Sequence, residues 1–230
     1  MLAALSYRAD RVPSGSLSGE RDGMYKLYGD ADSGSFAPQA VLEELGADYE
    51  LITVALDEKG TRTPEFLAIN PLGQIPVLVL PDGTVMTESA AMVVYLADTA
   101  PQAGLLPAAG DTARATALRW LFLLAANVYE ADLRYYYAER YAGGPACAAE
   151  VKTAAQAHMR RTLDLVEAAL DPGPFLLGER YSVVDPYLCM LGAWYPQQDE
   201  LAALPRILRH RDAVRARPAV APIWDKHHPS

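Results

Sequence analysis

The chain has 230 residues, 51% of them hydrophobic and 21% charged, an ordinary balance for a globular protein with room for a sizeable core. Its formal net charge of −9 makes nucleic acid and anionic membrane surfaces poor partners on electrostatic grounds. Only Cys147 and Cys189 occur, with no CxxC pair, and the histidines do not fall at metal-ligand spacing. This leaves no disulfide framework, thiol redox pair or zinc set, so no metal and a cytoplasmic location are expected.

Residues 1–23 carry Arg8, Arg11, Arg21 and a Ser/Gly-rich run without a long apolar core, so they do not read as a secretory signal. They are expected to be a disordered, functionally silent leader. The ordered pattern begins at Met24. Tyr25-Lys26-Leu27-Tyr28 alternates and stops at Gly29-Asp30, a short strand. The stretch from Pro38 to Leu45 is helical, with Ala40, Val41, Leu42 and Leu45 as its apolar stripe and Gly46 as its stop. Pro38 belongs in a first helical turn, which puts the helix start near Ser35. A second strand is expected over 49–56, then a loop over 59–69 with a short helix after Thr63-Pro64. Strands over 77–80 and 84–86 are joined by a Pro81-Asp82-Gly83 turn, and a helix follows over 88–100. The order is β-α-β-α-β-β-α.

A Pro/Gly linker, 101–110, separates this unit from a helical remainder. One long helix is expected over 111–142, a second over 146–170, a third over 182–194, and one or two shorter ones up to Trp224. No run of apolar residues approaches the ~20 needed to span a membrane. The fold class is therefore α/β plus all-α: a small mixed unit over 24–101 and an all-helical bundle over 111–230.

The stretch 70–89 carries the most information. Pro76 stands just ahead of Val77-Leu78-Val79-Leu80, although proline cannot donate to a sheet ladder. A cis Ile75–Pro76 bond accounts for this, bending the chain so that the Ile75 backbone faces outward. Exposed backbone groups beside the helix that opens at Glu88-Ser89 suit a peptide ligand bearing a carboxylate.

Three pieces in order, Asn70-Pro71-Leu72-Gly73-Gln74-Ile75-Pro76-Val77-Leu78, Glu88-Ser89-Ala90-Ala91 with Tyr95-Leu96, and Ser182-Val183-Val184-Asp185 at a helix start, make the chain resemble the cytosolic glutathione transferase superfamily. In detail it looks most like the broad bacterial group and a serine-type member. The resemblance covers residues 24 to about 220. It implies a thioredoxin-like N-terminal domain, a helical C-terminal domain, glutathione as co-substrate, a small apolar or aromatic electrophile as second substrate, and a homodimer.

The resemblance also implies roles for particular residues. The Ile75 backbone, set by Pro76, pairs strand-like with the cysteinyl part of glutathione, a mode that needs no particular side chain. Ser89 and Glu88 serve the γ-glutamyl carboxylate and ammonium at a helix N-terminus. Gln74 helps at the glycyl end or backbone, or is a solvated loop side chain; Arg62 is an exposed loop arginine or a cation for the glycyl carboxylate.

The sulfur-activating hydroxyl lies after strand one, in Asp30-Ala31-Asp32-Ser33-Gly34-Ser35. Ser33 is the first candidate and Ser35 the second, with one of the two expected to cap the helix instead. No cysteine lies in this unit, and Tyr28 sits within the strand. Asp30 and Asp32 oppose activation, because a nearby carboxylate raises a thiol pKa.

Ser182 and Asp185 form a capping-box pattern, read as folding chemistry. Tyr129, Tyr136 and Tyr137 on the long helix are candidates for a second-substrate cleft, with Trp194 and Tyr195 closing it. Trp120 and Phe122 are expected to pack the bundle. The expected activity is conjugation of glutathione to an electrophile. A glutathione-dependent isomerase or lyase, and a non-catalytic binding protein of the same fold, are the alternatives.

Overall fold

Four strands form a mixed sheet in the order β2-β1-β3-β4. In the computed structural model, which describes residues 23–228, β1 is Tyr25–Gly29, β2 Tyr49–Thr53, β3 Val77–Val79 and β4 Val85–Met86. The leader expected over 1–23 lies, apart from Gly23, outside the described residues. β1 pairs parallel with β2, with Leu27 opposite Leu51, and antiparallel with β3, with Leu27 opposite Leu78. All three β3 residues are buried, as a strand covered on both faces requires. β2 ends at Thr53 rather than Leu56, and Leu51 and Leu56 are exposed at the sheet margin.

Helix α1 (Phe36–Leu45) follows β1 and ends at Gly46, whose left-handed amide closes onto the Glu43 and Leu42 carbonyls. Pro38 sits in its first turn, as its locked φ and missing N–H require. The loop after β2 holds two short helices, α2 (Glu58–Thr61) and α3 (Pro64–Ile69), capped by Asp57 and Thr63; only the second is legible as a helix in sequence. Helix α4 (Ser89–Thr99) closes the unit. A thioredoxin-like sheet with its helices thus leads into a helical C-terminal region.

That region contains α5 (Thr112–Leu123), α6 (Glu130–Tyr136), α7 (Ala148–Ala169), α8 (Val184–Trp194), α9 (Pro205–Arg215) and α10 (Ala221–His227). The single long helix expected over 111–142 is instead α5 and α6 joined by a π-helical segment, Leu124–Tyr129, and it stops at Tyr136. Within the segment the Asn127 side-chain amide donates to the Leu123 carbonyl (3.1 Å), competing with the regular ladder. Trp120 is buried as expected, but Phe122 is 57% exposed. Positions i and i+2 on a helix are about 200° apart, so the pair cannot share one buried face.

One core runs through both parts, from Leu27, Phe36 and Leu78 to Leu121, Leu163 and Leu188. At the start of α8, Asp185 accepts from the Ser182 amide (2.7 Å), the Leu176 amide (3.0 Å) and buried His210 (3.1 Å). Ser182 Oγ accepts the Val184 amide at 3.4 Å. The Ser182–Asp185 pattern is therefore a buried folding knot, and neither residue lines the cavity described below. Across the two parts, Arg217 pairs with Glu44 (Nη2–Oε2 2.8 Å), and Val183 donates to the Leu105 carbonyl (2.9 Å).

Candidate active site

The turn between β1 and α1 is tightly knit. Ser33 Oγ donates to the Asp30 carbonyl (2.7 Å) and lies 2.8 Å from Ser35 Oγ. The amides of Asp30 and Ser35 converge on the same Ser33 oxygen, at 3.2 and 3.3 Å. Ser35 Oγ has a second option in the Asp30 carbonyl at 3.1 Å.

Ser35 is helical in backbone and its side chain caps nothing, so the expected capping role does not hold for it. It is 0% exposed and packs on Gly29, where a β-carbon would lie 2.3 Å from Ser35 Cβ and Oγ. Only glycine at 29 lets the loop close so tightly. Asp32 has φ 49°, an uncommon left-handed conformation that asparagine and aspartate tolerate better than most.

Ile75–Pro76 is a cis peptide. The segment before it is supported from below: buried Asn70 donates through Nδ2 to the Gln74 carbonyl (2.7 Å) and accepts the Leu72 amide (3.1 Å). Arg62 donates to the Leu72 carbonyl at 3.2 Å, so its guanidinium serves this turn. The Gln74 side chain is exposed.

At the next helix, Glu88 carries a positive φ of 65°. Its carbonyl accepts the Ala91 and Met92 amides, which leaves the Ser89 and Ala90 amides without an acceptor inside the helix. The Ser89 hydroxyl is buried against Tyr187 Oη (3.1 Å), a tie from α4 to α8. Its amide therefore remains the freer group for a ligand.

The serine turn and the segment before Pro76 border a cavity of about 500 Å³. On the sheet side its wall is Asp32, Ser33, Gly34, Gly73, Gln74 and Ile75; on the helical side it is Tyr129, Asp132, Tyr136, Tyr137, Arg140 and Trp194. Ser33, Gln74, Ile75 and the three tyrosines named from sequence thus meet in one space. Ser35, Pro76, Glu88 and Ser89 stand outside its lining, and so does Tyr195, which is buried and donates to Glu200 (2.8 Å). Tyr28 leans on Phe66 in a separate small cluster with Ile75 and Val77 and is not part of the cavity lining.

The two walls touch at a seam. A β-carbon on Gly34 would sit 2.5 Å from Tyr129 Oη and 3.0 Å from Pro76 Cδ, so glycine is what lets the walls approach. Trp194 Nε1 donates to Asp32 Oδ1 (2.8 Å), and His228 Nδ1 lies 3.5 Å from the same oxygen. The Asp32 charge that sequence reading set against thiol activation is thus partly satisfied by these partners. Tyr136 Oη donates to the Trp194 carbonyl (2.6 Å). Burial pushes the Tyr129 hydroxyl far above its usual range and Tyr136 up to about 12, so both stay protonated donors.

Sequence reading missed Asp132 and Arg140. Residues 129, 132, 133, 136, 137 and 140 recur at three- and four-residue spacing along one helical stripe, which is the signal that could have found them. Asp132 is 2% exposed with neither carboxylate oxygen hydrogen-bonded, and burial drives its pKa well up. Arg140 stacks over Tyr137, 4.1 Å from the ring centroid. Among the described residues no group of three or more His, Cys, Asp or Glu side chains could hold a metal ion, and no helix is long and apolar enough to cross a membrane.

Residues 37–99 match the family described as glutathione S-transferase, N-terminal domain. The chain is 34% identical over 206 residues to glutathione S-transferase 3 of Zea mays, covering 84% of this chain and 90% of that protein. It is 29% identical over 197 residues to glutathione S-transferase GstA of Escherichia coli O157:H7, covering 85% and 94%. A solved glutathione transferase homologue from sulfitobacter, with bound glutathione, superimposes at a TM-score of 0.82 with 32% identity, over 88% of this chain and 98% of that one.

Proposed function

The chain belongs to the glutathione transferase superfamily and is a glutathione transferase, and from that premise we propose that Ser33 activates the thiol while the tyrosine-lined wall receives a small apolar or aromatic electrophile. One observation carries the reading. Ser33 and Ile75 share a cavity of about 500 Å³ with Tyr129, Tyr136 and Tyr137, so a thiol on one wall faces an apolar, aromatic surface on the other.

The hydrogen-bond pattern favours Ser33 over Ser35. Ser33 borders the cavity, and the Asp30 and Ser35 amides donate to its oxygen, with the Ser35 hydroxyl 2.8 Å away. Such donors polarise its own O–H toward an incoming anion. When Ser33 turns its proton from the Asp30 carbonyl to sulfur, Ser35 can bond that carbonyl in its place. Lowering a thiol pKa from about 8.5 to about 6.5 needs roughly 2.7 kcal/mol. A hydrogen bond to a charged group contributes about 1.5–3 kcal/mol and a helix N-terminus about 0.3–1. The sum is sufficient without a general base.

In this reading the outward backbone of Ile75 pairs with the cysteinyl residue of glutathione, and Pro76 holds that edge. Gln74 flanks it. The Ser89 amide takes the γ-glutamyl carboxylate, and exposed Glu88 takes its ammonium. Residues 24–101 act as the glutathione-binding unit and 111–230 as the electrophile-binding unit, in a cytoplasmic homodimer.

Turnover of chlorodinitrobenzene with glutathione tests the reading, beside calorimetric titration of glutathione. Saturable binding with turnover is expected. Binding without turnover of any electrophile would sink the conjugating role, and no binding at millimolar glutathione would remove the site itself.

A further inference from the structure

The cavity has one polar feature that thiol activation does not use. Asp132 borders it from α6, one helical turn after Tyr129 and one before Tyr136. Several other polar groups of the cavity are engaged. Tyr136 donates to the Trp194 carbonyl, Trp194 to Asp32, and the Ser33 hydroxyl is held within its own turn. Tyr129 Oη is packed against Gly34 at the seam. Asp132 alone among the described cavity residues is a buried side chain with both polar atoms unpaired. A buried carboxyl without partners is costly to keep for packing alone, and an aliphatic side chain would fill the stripe better.

We propose that Asp132 is a specificity-determining acid of the electrophile site, donating a hydrogen bond to an oxygen conjugated with the carbon that glutathione attacks. The inference rests on the transferase reading and adds a substrate feature to it. Burial, with no cation paired to the carboxyl, pushes its pKa well up and so favours the neutral, donor form of Asp132. An acid on the helical wall and a thiolate on the sheet wall suit a substrate whose oxygen is remote from the reacting carbon. An α,β-unsaturated ketone has that shape.

The step balances. The thiol proton has already left to solvent. Thiolate sulfur bonds the β-carbon, the C=C electron pair moves toward the carbonyl, and the oxygen takes the proton of Asp132 as an enol forms. The enol carbon then takes a proton from water while the enol O–H returns its own to Asp132. No oxidant or reductant is needed.

The test compares two electrophiles on the intact protein: benzylideneacetone, which carries the conjugated oxygen, and benzyl chloride, which has no oxygen. Asp132→Leu, which keeps the bulk and removes the donor, should lower kcat/KM for benzylideneacetone by about 100-fold relative to that for benzyl chloride, the usual loss for one donor to a developing oxyanion. Equal losses on both substrates, or no loss on either, overturn the proposal. Should the variant not fold, the wild type decides. The infrared band of its protonated carboxyl should shift when the unreactive saturated ketone benzylacetone binds beside glutathione; an unshifted band overturns the proposal. Wild-type turnover of benzyl chloride but not of benzylideneacetone also overturns it while the transferase reading stands. Failure of the wild type to bind glutathione overturns both.

Discussion

The two walls of the cavity are built in different ways. The sheet wall is made of backbone: a cis Ile75–Pro76 bond, the positive φ of Asp32, and a serine turn whose hydroxyls and amides bond one another. The hydroxyls and amides of the serine turn are partnered before a ligand arrives, while the Gln74 side chain stands exposed. The helical wall is made of side chains on one stripe, with Tyr129, Tyr136, Tyr137 and an acid, Asp132, that has no partner. A wall of backbone recognises an invariant peptide, since main-chain hydrogen bonds ignore side-chain identity. A wall of side chains can be rewritten residue by residue without disturbing the helix that carries it. Constancy toward glutathione and adaptability toward the electrophile thus follow from two kinds of construction.

Four experiments press on that contrast. The largest effect concerns the buttress of the sheet wall. Buried His227 donates to Gln39 Oε1 on α1 (2.7 Å), and Gln39 in turn donates to Tyr49 on β2 (2.9 Å). Burial, with His228 adding to it, lowers the His227 pKa to about 4. The unfolded chain, near 6.5, binds the proton first, so stability is full above pH 6.5 and falls as pH drops toward 4. The loss reaches about 3 kcal/mol at ~1.4 kcal/mol per unit. His228 shifts the same way and Asp132 opposes it. Urea unfolding across this range should show a shallower acid limb in His227→Gln than in wild type; parallel limbs would show that the imidazole does not stay neutral.

Next is the serine turn. Ser33→Ala should cut kcat/KM by about 10- to 100-fold, the kinetic equivalent of one charge-assisted hydrogen bond, and raise the pKa of bound glutathione by about 1–2 units. Ser35→Ala should cost stability and leave that pKa near its wild-type value. A reversed pair of results, read by ultraviolet titration of the bound thiolate, would move the activating role to Ser35.

The seam comes third. Gly34→Ala should destabilise by about 1–3 kcal/mol through overpacking, because the new methyl meets Tyr129 Oη. Removing that oxygen as well, in G34A/Y129F, should recover part of the loss in thermal melts. No recovery would mean that the walls do not meet there. The smallest effect is expected from Tyr187→Phe, which removes the hydroxyl beside Ser89. About 1 kcal/mol of stability should go, with glutathione affinity changed less than twofold in calorimetry, since the Ser89 amide is untouched.

Legibility in the sequence follows the same division. The proline at 76, the Pro81-Asp82-Gly83 turn, the stop at Gly46 and the capping residue Thr63 each act within a few positions, so they are visible in a linear reading. So is the stretch 70–89 with its outward edge. The π-helical segment ahead of α6 is not, because Asn127 looks like any helical amide until its side chain is seen on the Leu123 carbonyl. Phe122 was misplaced because the apolar content of α5 does not say which side of it meets the core. Asp132 went unremarked among tyrosines because an acid on a helix is ordinarily solvated.

By itself the sequence determined most of the order of elements, the small mixed α/β unit with its helical partner, and the residues at which the chain turns. Those depend on local φ and ψ preferences and on apolar periodicity, and both are written along the chain. Only the tertiary structure decided that Ser33 rather than Ser35 borders the cavity, that the Ser89 hydroxyl is held by Tyr187, that Asp32 is shared by Trp194 and His228, and that Asp132 stands unpaired. Each of these is a relation between residues brought together by packing, and burial and pairing across such distances have no signature in the residues taken singly.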